Sequence, residues 1–289
     1  MTDRPCTVCG GPLSQWFERL GRAVYRCGLC GHIQVPAGVM HSSDGVSIYE
    51  EEHAEIFEGE GTADYYLDDS AADAARAKIA FVRRYAWRGT LLDIGASYGH
   101  FLAAASPGFD AYGIELNPSA VSWSREHLAV RNCVGSVYEI PDAIPRPLAV
   151  MTAWDVIEHL DDPRAALMEC RRHLVPGGWL FVSTPDASSL SARLMGTRWH
   201  YQDPVQHINL FSQENLGRLL RESGFSLAGQ TFFGRRYRIN YVLRRLSYLM
   251  GGHAAHHVID ALLKLPARIR EAHVTIKLRD VVGIAAQAV

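Results

Sequence analysis

Residues 91–105 read LLDIGASYGHFLAAA, and two incompatible chemistries can be read from the same letters. From Gly95 they give G-x-S-x-G, the strand-to-helix turn that exposes a nucleophilic serine, here Ser97. From Asp93 they give D-x-G-x-x-x-G, a glycine turn whose backbone and following helix N-terminus receive a nucleotide-like ligand. A nucleophile turn sits deep in its sheet, after several strands and a glycine-rich oxyanion loop. TLLDIG is instead the first strand of an alternating region, and no such loop precedes it. A Ser…Asp…His order can be filled by Ser97, Asp155 or Asp186, and His207, but a chain of 289 residues fills such an order cheaply. The ligand turn makes a stricter demand, an acidic residue ending the next strand to take ribose hydroxyls. AYGIELN meets it with Glu115, 22 residues after Asp93. The dinucleotide fingerprint is not met, because Ser97 and His100 stand at its second and third glycines. A cofactor without a pyrophosphate is therefore expected.

Outward from this turn, strand and helix signals alternate. An alanine-rich helix over about 70–86 precedes it, and helices over 99–105 and 118–129 follow. LAVMTAW and WLFVSTP read as buried strands. DDPRAALMECRRHL reads as a helix capped by Asp161 or Asp162, with Pro163 in its first turn. FSQENLGRLLRESGF has Ser212 as cap and Gly224 as stop. FSLAGQTFF and HVTIKLRDVVGIAAQAV read as two long strands. Between them, Ile239, Val242, Leu243, Leu246, Leu249 and Met250 form an apolar helical stripe beside Arg238, Arg244 and Arg245. That pattern fits a packing lid, with peripheral membrane contact through 237–270 as the other reading. His253, His256 and His257 read as a solvated turn, with metal binding as the other reading. The alternation predicts an α/β fold, a doubly wound and mostly parallel sheet.

With 48% hydrophobic and 21% charged residues, the composition is that of a soluble α/β domain plus a small accessory. A net charge of -2 gives no strong nucleic-acid signal. No apolar run has the length of a spanning helix, and MTDRPCTVCGG lacks a signal-peptide core, so the expected location is cytoplasmic.

Four of the six cysteines lie in the first 30 residues as Cys6-x-x-Cys9 and Cys27-x-x-Cys30. This spacing predicts a zinc ribbon over residues 1–40, and four thiolates make its zinc structural, with no open catalytic position. A redox pair would need a helix start in a βαβ setting, which neither pair has. Cys133 and Cys170 read as packed thiols. Residues 41–70, acidic and aromatic, form a linker or cap, leaving 71–289 for the main domain.

LLDIGASYGHFL, YGIELNPSAV, WDVIEHLDDPRAAL, HLVPGGWLFVSTPD and QHINLFSQENLGRLLRESGF, in that order, resemble the class I S-adenosylmethionine-dependent methyltransferases. The resemblance implies a Rossmann-like sheet with an antiparallel final strand. It also implies S-adenosylmethionine (SAM) as cofactor. Asp93, Gly95 and Gly99 would then line its methionine part, Glu115 its ribose and Leu116 its adenine. Ser136 or Val137 would meet the adenine edge, and Trp154 and Asp155 would close over the methionine. Ser97 departs from the family's usual glycine.

Methyl transfer to a hydroxyl or an acidic carbon needs a base. His159, with Glu158 to orient it, is the candidate, standing just past the strand that faces the acceptor. Trp199, His200, Tyr201 and His207 form a second cluster, read equally as acceptor-selecting residues or as a loop anchored by Trp199 and Phe211. The acceptor expected is a small molecule, a sugar or glycan, or a natural-product intermediate. An RNA methyltransferase that docks through the ribbon, and a non-catalytic ribbon protein with a methyltransferase fold, are the alternatives.

Overall fold

The computed structural model describes residues 5–35, 69–240, 242–243, 265–270 and 272–289. The acidic stretch within 41–68, the stripe beyond residue 243 and the histidines at 253–257 lie outside the described residues. One compact unit comprises Met1–Phe232 with Arg279–Val289, and a second Phe233–Leu278.

In the first unit an N-terminal hairpin, β1 (Leu13–Arg19) and β2 (Arg22–Cys27), is followed by a short β3 (Ile33–Gln34). Helix α1 (Asp69–Val82) leads into β4 (Thr90–Ile94), α2 (His100–Ala105), β5 (Asp110–Glu115), α3 (Pro118–Leu128) and β6 (Asn132–Val134). Then come β7 (Leu148–Trp154), a 3-10 turn (Ile157–His159), α4 (Pro163–His173) and β8 (Leu174–Pro185). The remainder is α5 (Leu190–Met195), β9 (Asn209–Leu210), α6 (Gln213–Glu222), β10 (Phe225–Phe232) and β13 (Val281–Ala288).

Seven strands form the main sheet in the order β10-β13-β8-β7-β4-β5-β6. β4 through β8 pair in parallel, and β13 runs antiparallel to both β8 and β10. This is the Rossmann-like sheet with an antiparallel final strand that the sequence led us to expect. The central strands are apolar on both faces because helices cover both. Leu91, Leu92, Leu148, Val150, Met151, Leu180 and Phe181 are all completely buried. Strand order reverses at β4, between β5 and β7, which opens a crevice at their carboxyl ends.

Helix starts follow their capping residues. Asn117 accepts from the Ser119 and Ala120 N–H groups ahead of Pro118, and Ser212 accepts from Asn215. Of the two aspartates proposed for α4, the cap is Asp162, which accepts from Ala165.

The second unit contains an antiparallel pair, β11 (Arg235–Arg238) and β12 (His273–Ile276), with a short helix α7 (Ala267–Arg270) between them in sequence. HVTIKLRDVVGIAAQAV, expected as one strand, is therefore two. Arg279 takes a left-handed φ of 56°, a conformation no strand interior accepts, and the chain breaks between β12 and β13. Among the described residues no helix is long and apolar enough to cross a membrane.

The cysteine segment does not build its sheet alone. β3 pairs with β9, from the loop before α6, giving a four-stranded sheet β1-β2-β3-β9. Cys6, Val8, Leu13 and Cys27 belong to the same buried cluster as Ile157, Leu167, Phe211 and Leu216. Arg164 of α4 also donates to the Val8 carbonyl at 2.7 Å. Ribbon and sheet thus share one core.

Candidate active site and cysteine centre

The glycine turn leaves β4 through three left-handed residues, Gly95, Ser97 and Gly99, at φ 67°, 47° and 78°. A Cβ on Gly95 would meet Val156 at 2.6 Å, and one on Gly99 would meet Ser124 and Val130 at 2.9 Å. Both glycines are thus required by space as well as by φ. Ser97 sits in the same left-handed backbone region but is only partly buried. Its left-handed φ costs roughly 1 kcal/mol relative to glycine. Ser97→Gly is therefore expected to raise Tm by about 2 °C and to leave cofactor binding intact. Thermal unfolding with calorimetry checks this, and methyl transfer lost while the cofactor still binds would restore the serine to the chemistry.

Two carboxylates hold this turn. Glu115, at the end of β5, accepts from the Ser97 N–H at 2.8 Å and from the Asn117 N–H at 2.9 Å. Asp93 is 2% exposed and accepts from the Thr152 hydroxyl at 2.6 Å. Burial pushes the Asp93 carboxyl up to about 7, with Glu115 adding to the rise while Thr152 and Lys78 oppose it. A cationic ligand in the crevice would favour its ionised form. Behind the turn, Asn132 donates to the Ser97 carbonyl at 3.1 Å.

Across the crevice, Asp155 leaves β7 with a left-handed φ of 57°. Its Oδ1 accepts from the Ser183 hydroxyl at 3.0 Å, and its Oδ2 lies 3.4 Å from Lys78 Nζ. Lys78 also lies 5.6 Å from the Trp154 ring centre, and that ring packs edge-on against Phe101. Asp93, Glu115, Trp154 and Asp155 thus stand at or just past the carboxyl ends of β4, β5 and β7, where the strand order reverses. Lys78, Thr152 and Ser183 join them unannounced by any motif. The available signal was local: Lys78 falls between buried Ala75 and Ile79 on the packed face of α1, and the two hydroxyls interrupt apolar central strands.

Of the three residues proposed near adenine, Leu116 is 60% exposed at the crevice rim. Ser136 bridges to Glu139, and Val137 is buried in the core cluster.

The second constellation joins two distant parts of the chain. His159 Nδ1 lies 2.6 Å from the Gln206 carbonyl, and His207 Nδ1 lies 2.9 Å from the Tyr201 carbonyl. A carbonyl only accepts, so each Nδ1 carries a proton and donates it there. The rings lie 5.0 Å apart. One ligand atom from each of Glu158, His159 and His207 falls within 4.8 Å of the others, and Glu158 is buried. Tyr201 and His200 continue the line of rings, at 5.7 Å from His207 to Tyr201 and 4.1 Å from Tyr201 to His200. Trp199 is 1% exposed and anchors the loop from inside.

The cysteine sulfurs converge as their spacing predicts. Cys6 and Cys30 lie 3.6 Å apart and Cys9 and Cys27 3.4 Å apart, with all four within 4.8 Å of one another. Tetrahedral zinc with sulfurs at about 2.3 Å separates them by roughly 3.8 Å, so the donor set and its spacing fit that ion. Burial pushes the Cys6 thiol up to about 11. Burial also acts upward on Cys27, but the Cys30 and Leu29 N–H groups bring it down to about 7. Cys170, away from the centre, is buried and pushed up to about 12, in keeping with an inert packed thiol.

A parallel sheet that reverses at β4 and a glycine turn held by a strand-end acid define a Rossmann-like fold. Residues 68–229, more than half of the chain, match the family described as Methyltransferase domain. The chain belongs to that family and is a SAM-dependent methyltransferase.

A ubiquinone biosynthesis O-methyltransferase of Thiobacillus denitrificans is 29% identical over 158 residues, covering 49% of this chain and 68% of that one. The corresponding protein of Methylococcus capsulatus is 29% identical over 156 residues, covering 50% of this chain and 65% of its own length. The chain thus spans about two thirds of these curated relatives. Among solved structures, a methyltransferase of Bacillus halodurans superposes with a TM-score of 0.52 at 16% identity, over 73% of this chain and 97% of that one. A SAM-dependent methyltransferase of Thermotoga maritima superposes at 0.51 and 18% identity, over 83% of this chain and 98% of that one. At such identities the likeness concerns the fold alone.

Proposed function

We propose that this chain methylates a hydroxyl oxygen of a small-molecule acceptor, with His159 as general base and His207 beside it to shape the site. One observation carries the reading. Both imidazoles are fixed by Nδ1–H donation to backbone carbonyls, and one ring nitrogen of each lies within 4.8 Å of the other and of a carboxylate oxygen of buried Glu158. The relatives named as O-methyltransferases support oxygen as the acceptor atom.

SAM supplies an electrophilic methyl on a sulfonium, leaving as S-adenosylhomocysteine. The chain's residues do the rest. Glu115 would hold the ribose hydroxyls, and Leu116 with Ser136 or Val137 would border the adenine. Asp93, Gly95 and Gly99 would line the methionine part. Lys78, beside Asp93 and Asp155, would take the methionine carboxylate. Trp154 and Asp155 would close over it and exclude water. His159 Nε2 removes the acceptor hydroxyl proton as the oxygen–methyl bond forms and the sulfur–methyl bond breaks, and Glu158 steadies the imidazolium that results.

The test is a screen of hydroxylated small molecules, glycans and RNA with methyl-labelled SAM, scored by mass. Label on oxygen of a small molecule supports the reading; label confined to RNA, nitrogen or carbon overturns it.

The cysteine centre is part of the same proposal, as a structural zinc site. The purified protein should contain one zinc per chain, and Cys6→Ser should lower Tm by several degrees, because the sulfurs lie in the shared core. Elemental analysis with thermal unfolding decides this: a folded wild type without metal would refute it.

A further inference from the structure

We propose that Asn209 is a positioning residue through which the cysteine ribbon sets the placement of the His159 and His207 imidazoles. The inference rests on the proposed role of those histidines, but its test separates the two.

Asn209 is buried and reaches three parts of the molecule. Its Oδ1 accepts from His32 Nε2 at 3.2 Å and from the Thr7 hydroxyl at 3.2 Å, both ribbon residues. Its Nδ2 donates to the Leu160 carbonyl at 2.7 Å, one residue after His159. Its backbone lies in β9, where it pairs with Gln34, and Gln34 Oε1 in turn accepts from the Thr7 N–H at 3.0 Å.

The consequence follows from chain distances. Gln206, whose carbonyl fixes His159, and His207 itself lie three and two residues before Asn209. Leu160 ends the turn that carries His159. One amide side chain therefore clamps the His159 turn to the His207 loop, and both to the ribbon. His32 lies two residues after Cys30, and its ring packs 4.8 Å from Phe211, two residues beyond Asn209. Buried polar groups held on every side have little freedom to relax, so loss of the amide must be absorbed by displacement.

Asn209 makes its bonds to the ribbon and to Leu160, whereas Glu115 and Asp93 are held by Ser97, Asn117 and Thr152. The His159 turn starts from Val156, which accepts from the His159 N–H and stands against Gly95, so the Asn209 clamp acts at the end of that turn away from the glycine loop.

The experiment uses full-length protein carrying its metal, labelled with 15N-histidine. Long-range proton–nitrogen spectra report the side-chain nitrogens of His159 and His207, which need no known acceptor. Asn209→Ala is expected to shift both imidazole signals, while metal content stays at the wild-type ratio and the Kd for SAM changes by less than about twofold. Turnover of an acceptor found by the screen should fall by about 10- to 100-fold, the scale of an ångström-size misplacement. Arg164→Ala removes a different tether between ribbon and sheet, the bond to Val8, and should leave the imidazoles unmoved. Asn209→Ser serves if the alanine variant does not fold. Unmoved imidazoles in the Asn209 variant overturn the proposal, as do equal shifts in Arg164→Ala. Shifted imidazoles with turnover insensitive to His159→Ala would keep the clamp and remove the catalytic reading instead.

Discussion

Glu115→Ala is expected to weaken SAM binding by about 100-fold or more, the largest loss of affinity available from a single side chain in the crevice. A hydrogen bond to a charged group contributes roughly 1.5–3 kcal/mol, and the carboxylate would meet two ribose hydroxyls. Each 1.4 kcal/mol is about tenfold in Kd, so even the lower figure, doubled, reaches two orders of magnitude. A second effect adds to it. Glu115 holds the N–H of left-handed Ser97, so its removal frees the turn that receives the ligand. Calorimetry with SAM and with S-adenosylhomocysteine is the measurement. Both should weaken alike, because the ribose is common to them. A Kd within about threefold of wild type would sink the ribose assignment. Stability should change much less, since Glu115 is only partly buried and the bonds it loses open toward solvent.

The legibility of this molecule in its sequence divides along physical lines. Asp93, Gly95, Gly99 and Glu115 were readable because short-range geometry dictates them: a turn needing left-handed residues, then an acid one strand later. The convergence of the cysteine pairs was readable for the same reason, since each C-x-x-C closes a tight turn within a few residues. The break between β12 and β13 was not, because one left-handed arginine interrupts a run whose apolar pattern continues through it. β3 and β9 were also missed. Each has two residues, too few to carry a periodicity, and their pairing joins Gln34 to Asn209 across the whole chain. The Lys78–Asp155 ion pair was invisible because an alanine-rich helix tolerates lysine on any face; only the docking of α1 brings the two together. His159, Glu158 and His207 could be named individually, yet not the carbonyl contacts that orient both imidazoles. Backbone partners leave no mark on the letters.

The assignment of His159 is tested by the second large effect. His159→Ala should lower kcat by about 10²- to 10⁴-fold, the range that loss of a general base produces, with the Kd for SAM unchanged. Rate alone would not distinguish a base from a residue that merely shapes the pocket, so the sensitivity to acceptor acidity matters more. A base is needed in proportion to how firmly the acceptor holds its proton. Across ring-substituted analogues of an acceptor found by the screen, the defect should shrink as the hydroxyl becomes more acidic, and nearly vanish for one already ionised. A packing role predicts the same defect along the series. His207→Ala should give a smaller loss, carried mainly by KM for the acceptor, since its ring stands beside that of His159 at 5.0 Å without being the assigned proton acceptor. Glu158→Gln keeps the size of the buried side chain but removes the charge that would stabilise an imidazolium. Its defect should follow the acidity series as His159→Ala does, with smaller amplitude. A flat series in both variants would move the chemistry away from this pair, leaving positioning of the acceptor against the methyl group as the source of the rate.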